Sequence, residues 1–321
     1  MYRQNKISVV IPAYNEETLI GKVIETMPDY VDSVIVIDDT SQDTTGKIVE
    51  DYQKKNPTRI VFIKHEINKG VGGAISSGYK WSRDNDIDIA VVVAGDAQMN
   101  PDEMTSLIDP IVDGKVDYSK GNRLYTGDAW NKIPKVRYLG NSALSLLTKI
   151  ASGYWHIADS QCGYTALNKK ALQTIDWDKM YPRYGQPNDL LTRLNIYNFR
   201  VCDVPVSPIY NIGEKSGIKP IRMIPKFSIL IASLFFKRMT QKYIIRDFHP
   251  LVFFYLSGFF FLLLALVFLI RFCVKYISLG TVPDATLLIL IFCTFSFNLF
   301  FLFAMQSDMQ YNSHLKGDPL P

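Results

Sequence analysis

Two uncharged apolar runs near the C-terminus, residues 251–270 and 285–305, limit what this chain can become more than any other feature. About 20 helical residues cross a hydrocarbon layer, so each run is long enough to span a bilayer and together they make a hairpin. Asn298, the one break in the second run, is expected to hydrogen-bond between the two helices. Arg222, Lys226, Lys237, Arg238, Lys242 and Arg246 precede the first run, whereas the connection carries only Arg271 and Lys275. Positive charge stays on the cytoplasmic side, so the N-terminal part is expected there, and an even number of crossings returns the tail to it. Just before the hairpin, Ile224, Phe227, Ile231, Leu234 and Phe235 recur at helical spacing among Lys226, Lys237 and Arg238. That pattern predicts an amphipathic helix lying in the membrane interface.

Of the 321 residues, about 220 to 250 remain for a globular domain with a sizeable core. Apolar strand patterns at 7–12, 34–37, 60–63 and 87–93 alternate with helical patterns at 18–27, 44–52 and 74–81. Such alternation means βαβ units and an α/β domain with a mostly parallel central sheet. From 118 to 206 the pattern loosens into a turn at Lys120-Gly121-Asn122-Arg123, helices near 139–151 and 190–197, and a strand near 164–167. The expected organisation is a catalytic domain at 1–220, interfacial helices at 221–248, two membrane helices at 249–306 and a cytoplasmic tail at 307–321. A net charge of +4, concentrated near the membrane segments, speaks against nucleic acid as a partner and for anionic lipid or phosphate. The four cysteines and His65, His156, His249 and His314 have no metal-ligand spacing, and all are expected to be structural.

The run Val91-Val92-Val93-Ala94-Gly95-Asp96-Ala97-Gln98-Met99-Asn100-Pro101 places a carboxylate and an amide at the end of a buried strand, before a proline-started helix. Open α/β sheets hold ligands at that edge, and a hard-oxygen ligand there suits a magnesium-type ion shared with a substrate's phosphates. Loops after parallel strands open on the same side. Pro12-Ala13-Tyr14-Asn15-Glu16, Asp38-Asp39-Thr40-Ser41-Gln42-Asp43 and 94–98 are therefore expected to surround one crevice, with acids available to a nucleobase and ribose. Gly70-Val71-Gly72-Gly73-Ala74 fits neither phosphate-binding fingerprint, because Ile75 stands where the last glycine of one belongs and no Gly-Lys-Ser/Thr follows. It reads as a turn and helix start, with Lys69 beside it facing the nucleotide.

In this order the clusters resemble the donor motifs of family 2 glycosyltransferases with the GT-A nucleotide-sugar-binding fold, from about residue 6 to 220. With the interfacial helix and the hairpin, the chain is most similar to polyprenyl-phosphate glycosyltransferases of the dolichol-phosphate mannose synthase type and their bacterial relatives. The resemblance implies inverting transfer of a monosaccharide from a UDP- or GDP-sugar to a dolichyl or undecaprenyl phosphate. Carried over by position, Pro12, Ala13, Tyr14, Glu16, Asp38, Asp39, Lys69, Gly95 and Asp96 would line the nucleotide, and Asp96 with Gln98 would hold Mg²⁺ or Mn²⁺. Ala94 departs from the family's usual Asp-x-Asp, leaving Asp96, Gln98 and the donor phosphates to bind the ion, which keeps several waters and needs few protein ligands. Arg123 resembles the family's arginine at the acceptor phosphate, and Lys215 and Lys219 its mobile basic lid. Asp159, Gln161 and Asp189 fit its acceptor-side positions.

A hydroxyl acceptor would need a general base, whereas a phosphate is already ionised near neutral pH. Asp159 and Asp189 are then expected to orient sugar or acceptor, and the alternative, a lipid hydroxyl or lipid-linked saccharide, would make one of them an obligatory base. A second alternative, favoured only by Ala94, is a non-catalytic nucleotide-sugar-binding scaffold in the membrane. Two spans cannot enclose a translocation channel within one chain, which argues against a processive synthase. Short two-span anchors often pack against copies of themselves, which leaves room for a homo-oligomer.

Overall fold

The computed structural model describes residues 1–125, 135–209, 220–281 and 283–317. The chain divides into two compact units, Met1–Phe236 with His314–Pro321, and Lys237–Ser313.

The first unit is built on seven strands: Ile7–Ala13 (β1), Ser33–Asp38 (β2), Ile60–Lys64 (β3), Ile89–Val92 (β4), Tyr118–Asn122 (β5), Thr165–Asn168 (β6) and Val201–Pro205 (β7), in spatial order β3-β2-β1-β4-β6-β5-β7. β1 pairs in parallel with β2 and β4, β2 with β3, and β5 with β7. β6 alone is reversed, pairing antiparallel with β4 and β5. Thr165 at the start of β6 consequently lies opposite Val92 and Lys120, so the turn that enters β6 arrives at the edge where the parallel strands end. The helices of this unit are Ile20–Glu25 (α1), Thr45–Lys55 (α2), Val71–Asp84 (α3), Met104–Val112 (α4), Lys135–Ser152 (α5), Lys169–Thr174 (α6) and Gln186–Ile196 (α7).

Alternation along the strands sends side chains to both sheet faces. Val9 and Ile11 join a core with Ile20, Val49 and Leu107 on one side, while Val10, Ile35 and Ile37 join Ala74, Tyr79, Leu172 and Leu191 on the other. Each fully buried aliphatic side chain contributes about 1.5–3 kcal/mol. α3 lies so close to the sheet that a Cβ at Gly78 would collide with Val10. Gly70, at φ +77°, starts α3 in a left-handed conformation that favours glycine, as the reading of a turn and helix start requires. Before α4, the Asn100 side chain accepts a hydrogen bond from the Asp102 backbone N–H, and Pro101 follows it in the first helical position.

One expectation is corrected at 120–123, where β5 replaces the turn. Ser119, Lys120 and Gly121 disguise a strand that is buried along its whole length. Its polar groups are satisfied: Ser119 Oγ donates to the Leu107 carbonyl and Lys120 Nζ to that of Cys162.

Pro220–Thr240 (α8) forms the expected amphipathic helix and continues into a wider π turn at Gln241–Arg246. Ile231, Leu234 and Phe235 are buried in protein rather than open to lipid, and the large exposed apolar groups are Ile229 and Phe236. Helical spacing shows which residues share a face but not what covers it. In the second unit, Leu251–Leu279 (α9) and Asp284–Tyr311 (α10) have mean hydropathies of 2.6 and 2.5, with only 11% and 17% of their most apolar windows buried. Helices this apolar and this uncovered are suited to lipid, not to a soluble core. Phe261 stacks on Phe300 at 5.7 Å between them. Asn298 does not bridge the two helices; its Nδ2 donates to the Thr294 carbonyl of its own helix. At the end of the hairpin, Arg238 is fully buried against Asp308 (2.7 Å), and Tyr243 Oη donates to the same carboxylate. α10 runs six residues beyond the expected span. Within the first unit, Leu315 is buried, Lys316 bridges to Val201 and the Gly317 N–H donates to the Val201 carbonyl.

Candidate active site

Three loops interlock at the carboxyl ends of β1, β2 and β4. The Asp39 N–H donates to the Ala13 carbonyl (2.9 Å), the Asn15 N–H to Ser41 Oγ (3.0 Å) and the Glu16 N–H to Thr45 Oγ1 (2.8 Å). A Cβ on Gly95 would lie 3.2 Å from the Pro12 carbonyl oxygen and 3.5 Å from Glu16 Cγ, so the 94–98 loop leans closely on the first loop. Each loop also holds one non-glycine residue at positive φ: Asn15 (57°), Thr40 (65°) and Ala97 (57°). Such conformations cost about 1–3 kcal/mol apiece and concentrate at functional sites.

Tyr14 is 50% exposed, and the Lys69 side chain is exposed as well. Asp38 and Asp39 are buried and hydrogen-bonded within the protein. Asp38 accepts from the Ser41 N–H. Asp39 is buried and accepts from the N–H groups of Lys69 (2.8 Å) and Gly70 (2.7 Å) and pairs with His65 Nδ1 (2.7 Å), whose Nε2 meets Ser77. These acids shape the loops around the crevice, and His65 is structural, as expected.

A divalent cation at the third loop would need hard-oxygen donors. Glu16 is half-buried, and burial, then the charges of Asp96 and Asp43, push its carboxyl up to about 7. Asp96 is partly exposed, and its carboxylate accepts from the Gln98 N–H (3.1 Å). Gln98 Nε2 is buried with no hydrogen-bond partner, and the flipped amide would present an oxygen from the same position. With the Gln98 amide flipped, its oxygen and the Glu16 and Asp96 carboxylates would offer hard-oxygen donors of the kind Mg²⁺ or Mn²⁺ takes, even without an acid at Ala94.

Across the edge, Arg123 Nε and Nη2 donate to Asp159 Oδ2 (2.8 Å) and Oδ1 (3.1 Å) in a bidentate fork, and the Arg123 N–H adds a third bond. Asp159 is fully buried. Burial alone would raise its carboxyl, but the Arg123 guanidinium, with Lys120 behind it, holds it below the ordinary value. The Gln161 side chain donates to Ser160 Oγ and to Asn188 Oδ1, which also accepts from Thr148. Asp189 is buried, accepting from the Tyr181 N–H and from Arg193 Nε. Neither acceptor-side acid is therefore presented as an open base.

Two cavities meet at Cys162 and Gly163. One of about 40 Å³ is lined by Gln98, Met99 and Arg123, joining the third loop to the arginine. The other, about 140 Å³, is lined by Tyr79, Gln161, Tyr184 and Gln186. The sequence assigns no site role to Lys120, Arg193 or Asp203, although it does single out Asn188 beside Asp189. Asp203 Oδ2 accepts from Asn122 Nδ2 (3.0 Å) and the Ala158 N–H (2.6 Å), fastening the residues that precede Arg123 and Asp159. No spacing signal marks these positions; only burial gives their charges a role. Lys215 and Lys219 lie outside the described residues.

A mostly parallel sheet with acids and an amide at its carboxyl edge has the architecture of the GT-A fold. The family model described as "Glycosyl transferase family 2" matches residues 8–176. A UDP-N-acetylglucosamine–dolichyl-phosphate N-acetylglucosaminyltransferase of Methanococcus voltae is 31% identical over 243 residues, covering 72% of this chain and 96% of that protein. An undecaprenyl-phosphate mannosyltransferase of Micrococcus luteus is 28% identical over 208 residues, covering 63% of this chain and 83% of that protein. Among solved structures, Mycobacterium tuberculosis glucosyl-3-phosphoglycerate synthase with Mn²⁺, UDP and phosphoglyceric acid shares the fold, with a TM-score of 0.53 at 20% identity over 73% of this chain and 78% of that one. The chain belongs to glycosyl transferase family 2.

Proposed function

We propose that this protein transfers a monosaccharide, with inversion, from a UDP- or GDP-sugar to a polyprenyl phosphate at the cytoplasmic face of a membrane. The observation that carries the reading is the engagement of both acceptor-side acids. Asp159 is held by Arg123 and Asp189 by Arg193, which suits an acceptor that arrives already ionised and needs no base. The two relatives named above, whose acceptors are lipid phosphates, support the same choice.

In the reaction, an acceptor phosphate oxygen forms a bond to the anomeric carbon as the bond from that carbon to the diphosphate breaks, and no proton need move. Tyr14 and the loop framed by Asp38 and Asp39 receive the nucleoside. Arg123 brings its guanidinium charge to the acceptor phosphate while Asp159 fixes its plane. Lys215 and Lys219 would add positive charge for the diphosphate and the acceptor phosphate. Asp96 and Gln98 would hold Mg²⁺ or Mn²⁺, whose charge would offset the negative charge gathering on the leaving diphosphate.

The test incubates purified protein and divalent metal with radiolabelled UDP- and GDP-sugars, UDP-N-acetylglucosamine first, and either a polyprenyl phosphate or the matching polyprenol. The expected product extracts into organic solvent, is labile to mild acid and forms only with the phosphate. Equal transfer to the polyprenol would overturn the acceptor assignment.

A further inference from the structure

Beyond α10 the chain re-enters the first unit at His314 and docks on β7, an edge strand of the sheet. Leu315 is 1% exposed and joins the core that holds Tyr118, Tyr154 and Val201. Lys316 forms a parallel bridge to Val201, and the Gly317 N–H donates to the Val201 carbonyl (2.9 Å). A Cβ on Gly317 would collide with Val116, so the docked backbone lies tight against the core. An edge strand left bare presents unpaired N–H and C=O groups, and the tail covers part of this one.

The segment that leads into Asp159 hangs on the same stretch of chain. Tyr154 Oη donates to the Phe199 carbonyl (2.6 Å), His156 Nε2 to the Val201 carbonyl (2.9 Å) and the Ala158 N–H to Asp203 Oδ2 (2.6 Å). These anchors fall at alternate residues, and the middle one, the Val201 carbonyl, accepts from the tail as well. We propose that residues 315–317 are a strap of positioning residues for the acceptor arginine. By pinning β7 at Val201 they keep His156 and Asp203 in place, so that Asp159 arrives where it can fix the Arg123 guanidinium. A shift of β7 would reach Asp203, two residues on, and through it Asn122 and Ala158, which precede Arg123 and Asp159 in the chain. This inference rests on the reading that Arg123 meets the acceptor phosphate.

The test uses the full-length protein in detergent. Leu315→Asn sets an amide in an apolar site and should release the strap, whereas Leu315→Met should keep it. Gly317→Ala attacks the docking from its other end and leaves the Leu315 side chain in the core. In both releasing variants the backbone amides of 154–161 and 199–205 should exchange hydrogen about tenfold faster than in the wild type, as local opening allows. With each substrate varied in turn, KM for polyprenyl phosphate should rise about tenfold, the scale of one charge-assisted hydrogen bond, while KM for the nucleotide sugar stays within about twofold. Leu315→Met should match the wild type in both readouts. Unchanged exchange in both releasing variants would overturn the proposal. So would faster exchange with the two KM values unchanged or raised alike, because the tail would then serve stability alone. If the wild type transfers no sugar to polyprenyl phosphate, the acceptor assignment falls by itself, and the strap stands or falls on the exchange of 154–161.

Discussion

Asp203→Asn isolates one buried charge behind the acceptor arginine. The Asp203 carboxylate accepts two hydrogen bonds through Oδ2, while Oδ1 has no partner, and burial above all pushes the group up to about 7. A folded value above the ordinary 3.8 means that the native state holds a proton the unfolded chain has released. Its contribution is therefore complete below the unfolded value and is lost as pH rises through the folded one. Between about pH 5.5 and about pH 7.5 the loss integrates to at most about 2 kcal/mol at 1.36 kcal/mol per unit, and less to the extent that water reaches the carboxylate. Asparagine keeps an oxygen for Asn122 and Ala158 but cannot ionise. In detergent, the melting temperature of Asp203→Asn should gain on the wild type across that interval by up to about 4–8 °C. Melting curves that stay parallel across the interval would show that no proton is held there and would refute the reasoning.

Arg123→Lys should lower kcat/KM for polyprenyl phosphate by about 10–100-fold, because an ammonium cannot hold both Asp159 oxygens and a phosphate; steady-state kinetics with each substrate varied should place the larger loss on the lipid. Asp96→Ala should abolish transfer while leaving the detergent melting temperature near that of the wild type, and retained turnover would remove Asp96 from the site. Chelation with EDTA should stop the wild-type reaction, and added Mn²⁺ or Mg²⁺ should restore it in the radiolabel assay. Gly70→Ala, which forces a side chain into left-handed backbone and against the Pro182 carbonyl, should cost at least about 1–2 kcal/mol of stability in urea unfolding.

The sequence by itself determined the scaffold. Uninterrupted apolar stretches at β1, β2 and β4 have few ways to be buried other than in a parallel sheet, and parallel strands open their following loops on one side. That rule was enough to gather Glu16, Asp39 and Asp96 from distant positions, just as length and apolarity alone identified the hairpin. What each acid does there was decided by tertiary structure. An aspartate reads the same whether it meets solvent or backbone N–H groups, and only the fold brings Lys69 and Gly70 to Asp39, Tyr181 and Arg193 to Asp189, and Arg123 to Asp159. β5 was hidden because its polar residues are satisfied by partners remote in sequence, such as Leu107 and Cys162. The reversal of β6 was hidden for a related reason: strand direction depends on which edge of the sheet is left to pair, and that edge exists only once the other strands are assembled. Reversal sets residues 159–163 beside the ends of β4 and β5, and thereby completes the site.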